Sequence, residues 1–266
     1  MAVPAPLRRT LHRARGAVPA DVRRLARTWR AVRSGGPVTG VPPFRRVLVI
    51  APHPDDESLG CAGTMALLSD QGATVTTLTA SDGEATQGSS LPAEEIARTR
   101  RAEAQRAAAE VGASAHFLGL PDGGLAQHPN ELASGLRKAI GELEPEAVFA
   151  PWPLDGGSDH RAVAQALAGV LDRGGPEVWG YEVWTALVPN RFVEITAVIE
   201  RKRAALGAHE TAALALDLSA AEGLARWRSL QTLGGRGFAE AFLALPAAGY
   251  RELAGQLGSD PEMTDS

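Results

Sequence analysis

Two short segments, far apart in the chain, hold the residue types best suited to metal chemistry. The first, residues 52–57, reads PHPDDE, and the second is Asp159-His160. Zinc takes imidazole and carboxylate ligands, and a catalytic zinc keeps three protein ligands and one water. His53, Asp56 and His160 would supply such a set, two from the first segment and one from the second.

Asp55 stands beside this set and would be free to accept a proton from the metal's water, whose pKa the ion lowers. The same residues also fit a simpler structure, because a His-Pro-Asp sequence often forms a turn and Asp56 or Glu57 could cap a helix. Neighbouring acids repel one another unless a cation lies nearby. The residue types alone therefore leave a metal site and an ordinary capped turn both open.

Each segment directly follows an apolar run, at 47–51 and at 147–150. Continuous apolar runs of this kind are typical of strands buried on both faces of a parallel sheet. Ligands bind beyond the carboxyl ends of such strands. If the two strands are parallel and central, their following loops open on one edge of the sheet, and the two segments meet there.

Strand-like and helix-like segments alternate along most of the chain. Strands are predicted at 47–51, 75–80, 115–120, 147–150, 178–184 and 191–196. Helices are predicted at 63–72, 93–111, 130–143, 159–171, 198–214 and 219–232. This alternation predicts right-handed crossovers and an α/β fold with a doubly wound, mostly parallel, Rossmann-like sheet flanked by helices.

The composition narrows the class of protein. With 266 residues, 44% of them hydrophobic, the chain can form one large domain. Cys61 is its single cysteine, which excludes an intrachain disulfide framework and a Cys-rich zinc module. No apolar run approaches the roughly 20 residues of a membrane-spanning helix. The glycine patterns of nucleotide-binding loops are absent as well.

The first 46 residues differ in charge from the rest, since they hold eleven arginines and one acid, Asp21. Four apolar residues recur there at helical spacing: Val22, Leu25, Trp29 and Val32. This helix could dock on the main domain, lie on an anionic lipid surface, or contact an acidic partner.

We therefore expect a basic N-terminal helical extension and linker at 1–44, a main domain at 45–258 and a disordered tail at 259–266. The extension lacks the apolar core of a secretory signal, which favours a cytoplasmic protein. The main domain is acidic, so nucleic acid is not an expected partner.

The stretch 47–65 resembles the signature of the LmbE-like (PIG-L-type) zinc-dependent N-deacetylases. Further resemblance extends over about 45–245, in Arg100 and Glu103, Pro121-Asp122, Asp159-His160, Tyr181 to Trp184, Lys202, His209, and Ala239 to Phe242. The resemblance implies removal of acetyl from N-acetylglucosamine-type amino sugars and their conjugates. It implies one zinc ion as cofactor and a small N-acetylated amino sugar or glycoconjugate as substrate.

The same resemblance implies roles for single residues. His53, Asp56 and His160 would be the zinc ligands, and Asp55 the general base. Arg100 would point at the substrate. Asp159 would lie beside the ligands, where it orients a neighbouring side chain or holds a substrate hydroxyl.

The chain departs from the family pattern at two positions. Gly157 replaces the first histidine of a His-x-Asp-His motif, and Phe238 stands where some relatives carry tyrosine. By the resemblance, that histidine often assists the carbonyl oxygen and the tyrosine hydroxyl can serve the oxyanion, so two possible donors are missing here. Losing one such donor costs about 2.7–4 kcal/mol of transition-state stabilisation. Zinc, Arg100 or Tyr181 would have to take over that charge, or the enzyme would be slow.

Three functional readings follow. The first is a zinc-dependent hydrolase that deacetylates an amino sugar, and the second is a non-catalytic or weakly active carbohydrate- or metal-binding relative. The third is an unrelated magnesium-dependent phosphotransfer receiver, which would need neither His53 nor His160. Substrate specificity is expected in the loops 81–95, 121–130, 185–190 and 233–238. Three tryptophans, Trp152, Trp179 and Trp184, are expected mainly in the core.

Overall fold

The computed structural model describes residues 38–257, so the predicted basic helix and the tail from 258 onward lie outside the described residues. The described strands are β1 Val38–Thr39, β2 Arg46–Ala51, β3 Thr74–Ser81, β4 Ser114–Leu120, β5 Ala147–Pro151, β6 Glu177–Tyr181, β7 Arg191–Glu194 and β8 Ala239–Leu245. The described helices are α1 Asp56–Asp70, α2 Ala93–Glu110, α3 Pro129–Leu143, α4 Ser158–Val170, α5 Ile199–Gly207, α6 Ala220–Arg228, α7 Leu230–Leu233 and α8 Ala247–Leu257. None of these helices is long and apolar enough to cross a membrane.

The eight strands form one sheet in the order β1-β7-β8-β6-β5-β2-β3-β4. All neighbouring pairs are parallel except those made by β8, which runs antiparallel to both β6 and β7. The order reverses between β2 and β5, where Val47–Val49 pair with Ala147–Phe149. A doubly wound sheet opens its ligand crevice at such a reversal. The predicted mostly parallel α/β fold is confirmed.

Helices cover both faces of the sheet, and the side chains of β2 show this directly. Val47 and Val49 belong to one apolar cluster, while Leu48 and Ile50 belong to the other. Successive residues of a strand point to opposite faces, so an uninterrupted apolar run is what a two-sided core requires.

Local sequence explains where several helices begin. α2 follows Pro92 and carries Glu94 and Glu95 in its first turn, where acids interact favourably with the helix dipole. α3 begins at Pro129, whose fixed φ and missing N–H suit a first helical position.

α1 begins seven residues before the predicted helix at 63–72, and it is broken at Cys61, whose φ and ψ are −149° and 16°. Close packing accompanies the break. A Cβ atom on Gly60 would lie 2.2 Å from Tyr181 Cδ2, and one on Gly63 would lie 2.7 Å from Ile195 Cβ. The prediction captured the second half of α1 and missed the first, which holds Asp56.

Three other expectations, two about the bounds of elements and one about the burial of a tryptophan, need correction. The predicted helix 198–214 is interrupted, because α5 ends at Gly207 and only a short 3-10 turn at Ala212–Leu214 follows. β6 ends at Tyr181 rather than at 184. Trp184 is 56% exposed and so does not belong to the core.

Candidate metal and catalytic site

The loops that follow β2 and β5 meet at the edge of the sheet, as the order of the strands requires. The rings of His53 and His160 lie 5.5 Å apart between centroids. Asp56 Oδ2 lies between them, 3.2 Å from His53 Nδ1 and 3.4 Å from His160 Nε2. One ligand atom from each residue lies within 4.8 Å of the others, a separation that one metal ion could bridge.

The protonation pattern of His160 fits a metal ligand. Its Nδ1 lies 2.9 Å from Asp155 Oδ2, which favours the tautomer protonated at Nδ1. Its Nε2 is buried and has no hydrogen-bond partner. A buried acceptor without a partner is unfavourable by about 1–3 kcal/mol. In zinc sites, the ring nitrogen of a ligating histidine that does not bind the metal commonly donates to a carboxylate, which fixes the orientation of the ring. The donor set of two imidazoles and one carboxylate therefore fits zinc.

The charges around the three residues also call for a cation. Burial raises the pKa of Asp56, but His160 and His53 outweigh burial and hold that pKa well below its usual range. Burial lowers the pKa of His160, but Asp56 and Asp155 outweigh it and raise the pKa to about 9. Asp56 and Asp155 thus favour a positive charge next to them, and either a proton on a histidine or a metal ion can supply it.

Asp55 lies beside this group in an unusual backbone conformation. Its φ is 145°, a region that residues other than glycine rarely adopt. The residue is 5% exposed, and burial and the neighbouring Asp56 raise the pKa of its carboxyl group to about 7 against the opposing effect of Arg100. A carboxyl group that titrates near neutral pH suits a general base.

Arg100 is buried and its guanidinium binds the chain itself. Nη2 donates to Pro54 O at 2.7 Å and to Asp55 Oδ2 at 3.2 Å. Nη1 donates to Gly83 O at 2.9 Å and to Thr86 Oγ1 at 2.6 Å. Arg100 therefore ties the loop after β3 to the first motif and holds Asp55. A direct contact with substrate stays a prediction.

Asp159 lies on the far side of His53. Its Oδ2 is 3.3 Å from His53 Nε2 and accepts a hydrogen bond from Gly123 N at 2.8 Å, while its Oδ1 accepts from Leu125 N at 3.1 Å. Of the two predicted roles, these contacts fit the orientation of a neighbouring side chain. A substrate hydroxyl would have to compete with both backbone donors.

Two acidic residues near the metal group had no predicted role. Asp122 Oδ1 lies 3.2 Å from His53 Nε2, so it supports the same ring as Asp159. His53, Asp122 and Asp159 form a second set of potential ligands on the outer side of the ring. Asp155 supports His160, and its position five residues before that histidine, in the loop that leads into α4, was the signal that could have revealed it.

Tyr181, Phe238 and Gly157 are the residues that bear on the missing oxyanion donors. The Tyr181 hydroxyl is buried and donates to Ile50 O at 2.8 Å, so the expectation that Tyr181 could serve the oxyanion is wrong. Phe238 packs under the guanidinium groups of Arg203 and Arg226. Gly157 has φ +90°, a conformation that a histidine there would adopt only with strain.

His209 contacts the first turn of α1, through Ser58 and Glu57. Its Nε2 lies 2.9 Å from Ser58 Oγ and 3.5 Å from Glu57 Oε1. The Glu57 carboxylate also accepts a hydrogen bond from Asp55 N at 3.3 Å. These contacts make His209 a support for the start of α1 rather than a ligand.

Comparisons with known proteins agree with this geometry. The family model described as PIG-L, GlcNAc-PI de-N-acetylase, matches residues 48–171. A diacetylchitobiose deacetylase of Thermococcus kodakarensis is 31% identical over 189 residues, which cover 63% of this chain and 70% of that protein. A probable N-acetyl-alpha-D-glucosaminyl L-malate deacetylase 2 of Bacillus cereus is 30% identical over 183 residues, which cover 63% of this chain and 83% of that protein.

A solved structure gives the same result for the fold. The N,N'-diacetylchitobiose deacetylase from Pyrococcus horikoshii, in complex with an inhibitor, superposes with a TM-score of 0.62 and 28% sequence identity. The match covers 78% of this chain and 86% of that one. The chain therefore belongs to the PIG-L (LmbE-like) family of deacetylases.

Proposed function

We propose that the protein is a zinc-dependent hydrolase that removes the N-acetyl group from an N-acetylglucosamine-type amino sugar or its conjugate and releases acetate. One observation carries this proposal. His53 and His160 converge on Asp56, and the Nε2 atom of His160 is buried without a partner. The names of the relatives, a diacetylchitobiose deacetylase and a probable N-acetyl-alpha-D-glucosaminyl L-malate deacetylase, support the substrate class.

His53 would hold the ion through Nδ1, Asp56 through Oδ2 and His160 through Nε2. When bound, zinc supplies a Lewis acid that polarises the amide carbonyl and lowers the pKa of water. The chain itself supplies the proton transfers. Asp55 accepts a proton as water attacks the carbonyl carbon, and it returns that proton to the nitrogen as the C–N bond breaks. The products are acetate and a free amine.

The surrounding residues keep these groups in place. Arg100 holds Asp55, Asp159 and Asp122 hold the ring of His53, and Asp155 holds the ring of His160. Catalytic groups work only when their rotamers are fixed in this way. We assign this machinery to a catalytic domain at 45–258, with residues 1–44 as a separate extension.

The second candidate is a relative that binds a metal or carbohydrate without turnover. It is favoured by Gly157 and Phe238 and by the occupied hydroxyl of Tyr181. The test is metal analysis together with acetate release from a panel of N-acetylglucosamine conjugates. Bound zinc with acetate release supports the hydrolase. Stoichiometric zinc with no acetate from any conjugate supports the second candidate.

A further inference from the structure

Three large apolar side chains are exposed on the two loops that follow β5 and β6. They are Leu154, Trp184 and Val188, which are 40%, 56% and 51% exposed. Both loops lie at the carboxyl edge of the sheet, where His160 also lies. Single exposed apolar residues are common on protein surfaces, but a group beside a binding crevice indicates a contact surface.

The loop that carries Trp184 is held firmly at its first half. Asp155 Oδ1 accepts hydrogen bonds from Trp184 N at 2.9 Å and from Thr185 N at 2.7 Å. Trp152 Nε1 donates to Thr185 O at 2.8 Å. The backbone under the exposed indole is therefore fixed by two side chains of the neighbouring loop.

The second half of the loop is held by two buried charged residues, Arg228 and Glu182. Arg228 Nη2 donates to Leu187 O at 2.9 Å, and Leu187 N donates to Glu182 Oε2 at 2.9 Å. Arg228 and Glu182 are buried and bonded to each other, with Arg228 Nε 2.8 Å from Glu182 Oε1. A loop fixed at both ends loses little freedom when a ligand binds, so its exposed side chains can contribute fully to affinity.

The same carboxylate joins this loop to the metal group. Asp155 Oδ1 binds the backbone of Trp184, while Asp155 Oδ2 lies 2.9 Å from His160 Nδ1. The indole and the ligand histidine are thus supported by one side chain. The backbone of Trp184 is therefore held near the ligand histidine, at a position that the protein fixes.

The chemistry of the exposed side chains on these two loops indicates which kind of substrate substituent they could bind. The charged residues that support the loop, Asp155, Glu182 and Arg228, are buried and already bonded, so they offer nothing to an ionic substituent. The large apolar side chains that face solvent on these two loops are those of Trp184, Leu154 and Val188. We propose that Trp184, with Leu154 and Val188, forms an apolar platform that receives a hydrophobic aglycone, an alkyl or aryl group, of the amino-sugar substrate. This inference rests on the proposed function and names the substrate class more closely.

The test compares octyl and methyl glycosides of N-acetylglucosamine with the zinc-loaded protein. We expect kcat/KM to be higher for the octyl glycoside, and the ratio of the two values to fall about tenfold in Trp184→Ala. Trp184→Phe should keep most of the ratio, because it keeps an aromatic face. Leu230→Ala is the matched control, since Leu230 is 56% exposed but lies on α7, and it should keep the ratio.

A binding measurement separates this inference from the proposed function. In an Asp55→Asn background, calorimetry should show that Trp184→Ala weakens binding of the octyl glycoside about tenfold relative to the methyl glycoside. If no glycoside releases acetate, the proposed function fails while the binding ratio still decides the platform. Equal binding of the two glycosides, or a ratio that Trp184→Ala leaves unchanged, overturns the platform.

Discussion

The buried pair of Lys202 and Glu240 joins the two halves of the broken helix α1. Lys202 Nζ donates to Ser58 O at 3.1 Å and to Leu59 O at 2.8 Å, where the first half ends. Glu240 accepts from Gly63 N at 3.0 Å, where the second half begins. Lys202 Nζ also donates to Glu240 Oε1 at 2.7 Å. A cation at a helix C-terminus and an anion at an N-terminus are both favourable, so the pair stabilises the break.

Lys202→Met should therefore destabilise the fold strongly. The side chains of Lys202 and Glu240 are 1% and 3% exposed, and removing one partner of a buried ion pair costs about 3–5 kcal/mol. For a domain of this size, each kcal/mol lowers the Tm by about 2–4 °C, which predicts a decrease of about 6–20 °C. Because the first half of α1 carries Asp56, zinc affinity should fall as well. Thermal unfolding and chelator competition measure the two effects.

The chain provides a matched control, because Lys138 is its only other lysine. Lys138 Nζ lies 3.9 Å from Glu142 Oε1, and its side chain is 74% exposed. An exposed pair at this spacing contributes only about 0.3–0.5 kcal/mol. In the double variant Lys202→Met with Glu240→Gln, no uncompensated charge remains, and part of the lost stability should return. The reasoning is refuted if Lys202→Met lowers the Tm no more than Lys138→Met does.

Three further predictions concern the candidate site. Asp55→Asn should lower turnover by about 10²–10⁴-fold while zinc content stays near that of the wild type. Acetate assays and metal analysis measure these two quantities. Near wild-type activity would show that Asp55 is not the general base. Asp155→Asn should weaken zinc affinity about 10–100-fold, because the amide oxygen would stay on the N–H groups of Trp184 and Thr185 and the amide NH2, a donor, would face His160 Nδ1; unchanged affinity in a chelator titration would contradict this. The acid limb of kcat/KM should lie at or below about pH 7, since burial raises the pKa of Asp55 to about 7 and a bound cation lowers it. Arg100→Met removes a charge that lowers this pKa, so the limb should move to higher pH, and a shift to lower pH would be evidence against the assignment.

The sequence was sufficient for the parallel core and for the approach of the two loops. Apolar runs at 47–51 and 147–150 mark strands buried on two faces, and parallel strands bring their carboxyl ends to one edge. The structure places these strands side by side and brings His53 within reach of His160. Both results depend on periodicity and topology, which a single sequence carries.

What the sequence did not supply depends on contacts between distant elements. β8 is buried at every position and apolar except at Glu240, so its sequence pattern could not reveal that it runs antiparallel between β6 and β7. The break in α1 is bridged by Lys202 and Glu240, which lie far away in the chain. The exposure of Trp184 depends on the hydrogen bonds that Asp155 makes to its backbone. The bond of the Tyr181 hydroxyl to Ile50 O likewise appears only in three dimensions.

The position of Glu240 in the last strand has a consequence for biosynthesis. A ribosome makes the first motif early, but the carboxylate that completes the break in α1 lies 177 residues after Gly63 and emerges correspondingly later. Until then, the segment that bears Asp56 lacks its anchor. The nascent chain should thus capture metal only after residue 240 has been made, and a product truncated before residue 240 should remain inactive even though every proposed ligand is present.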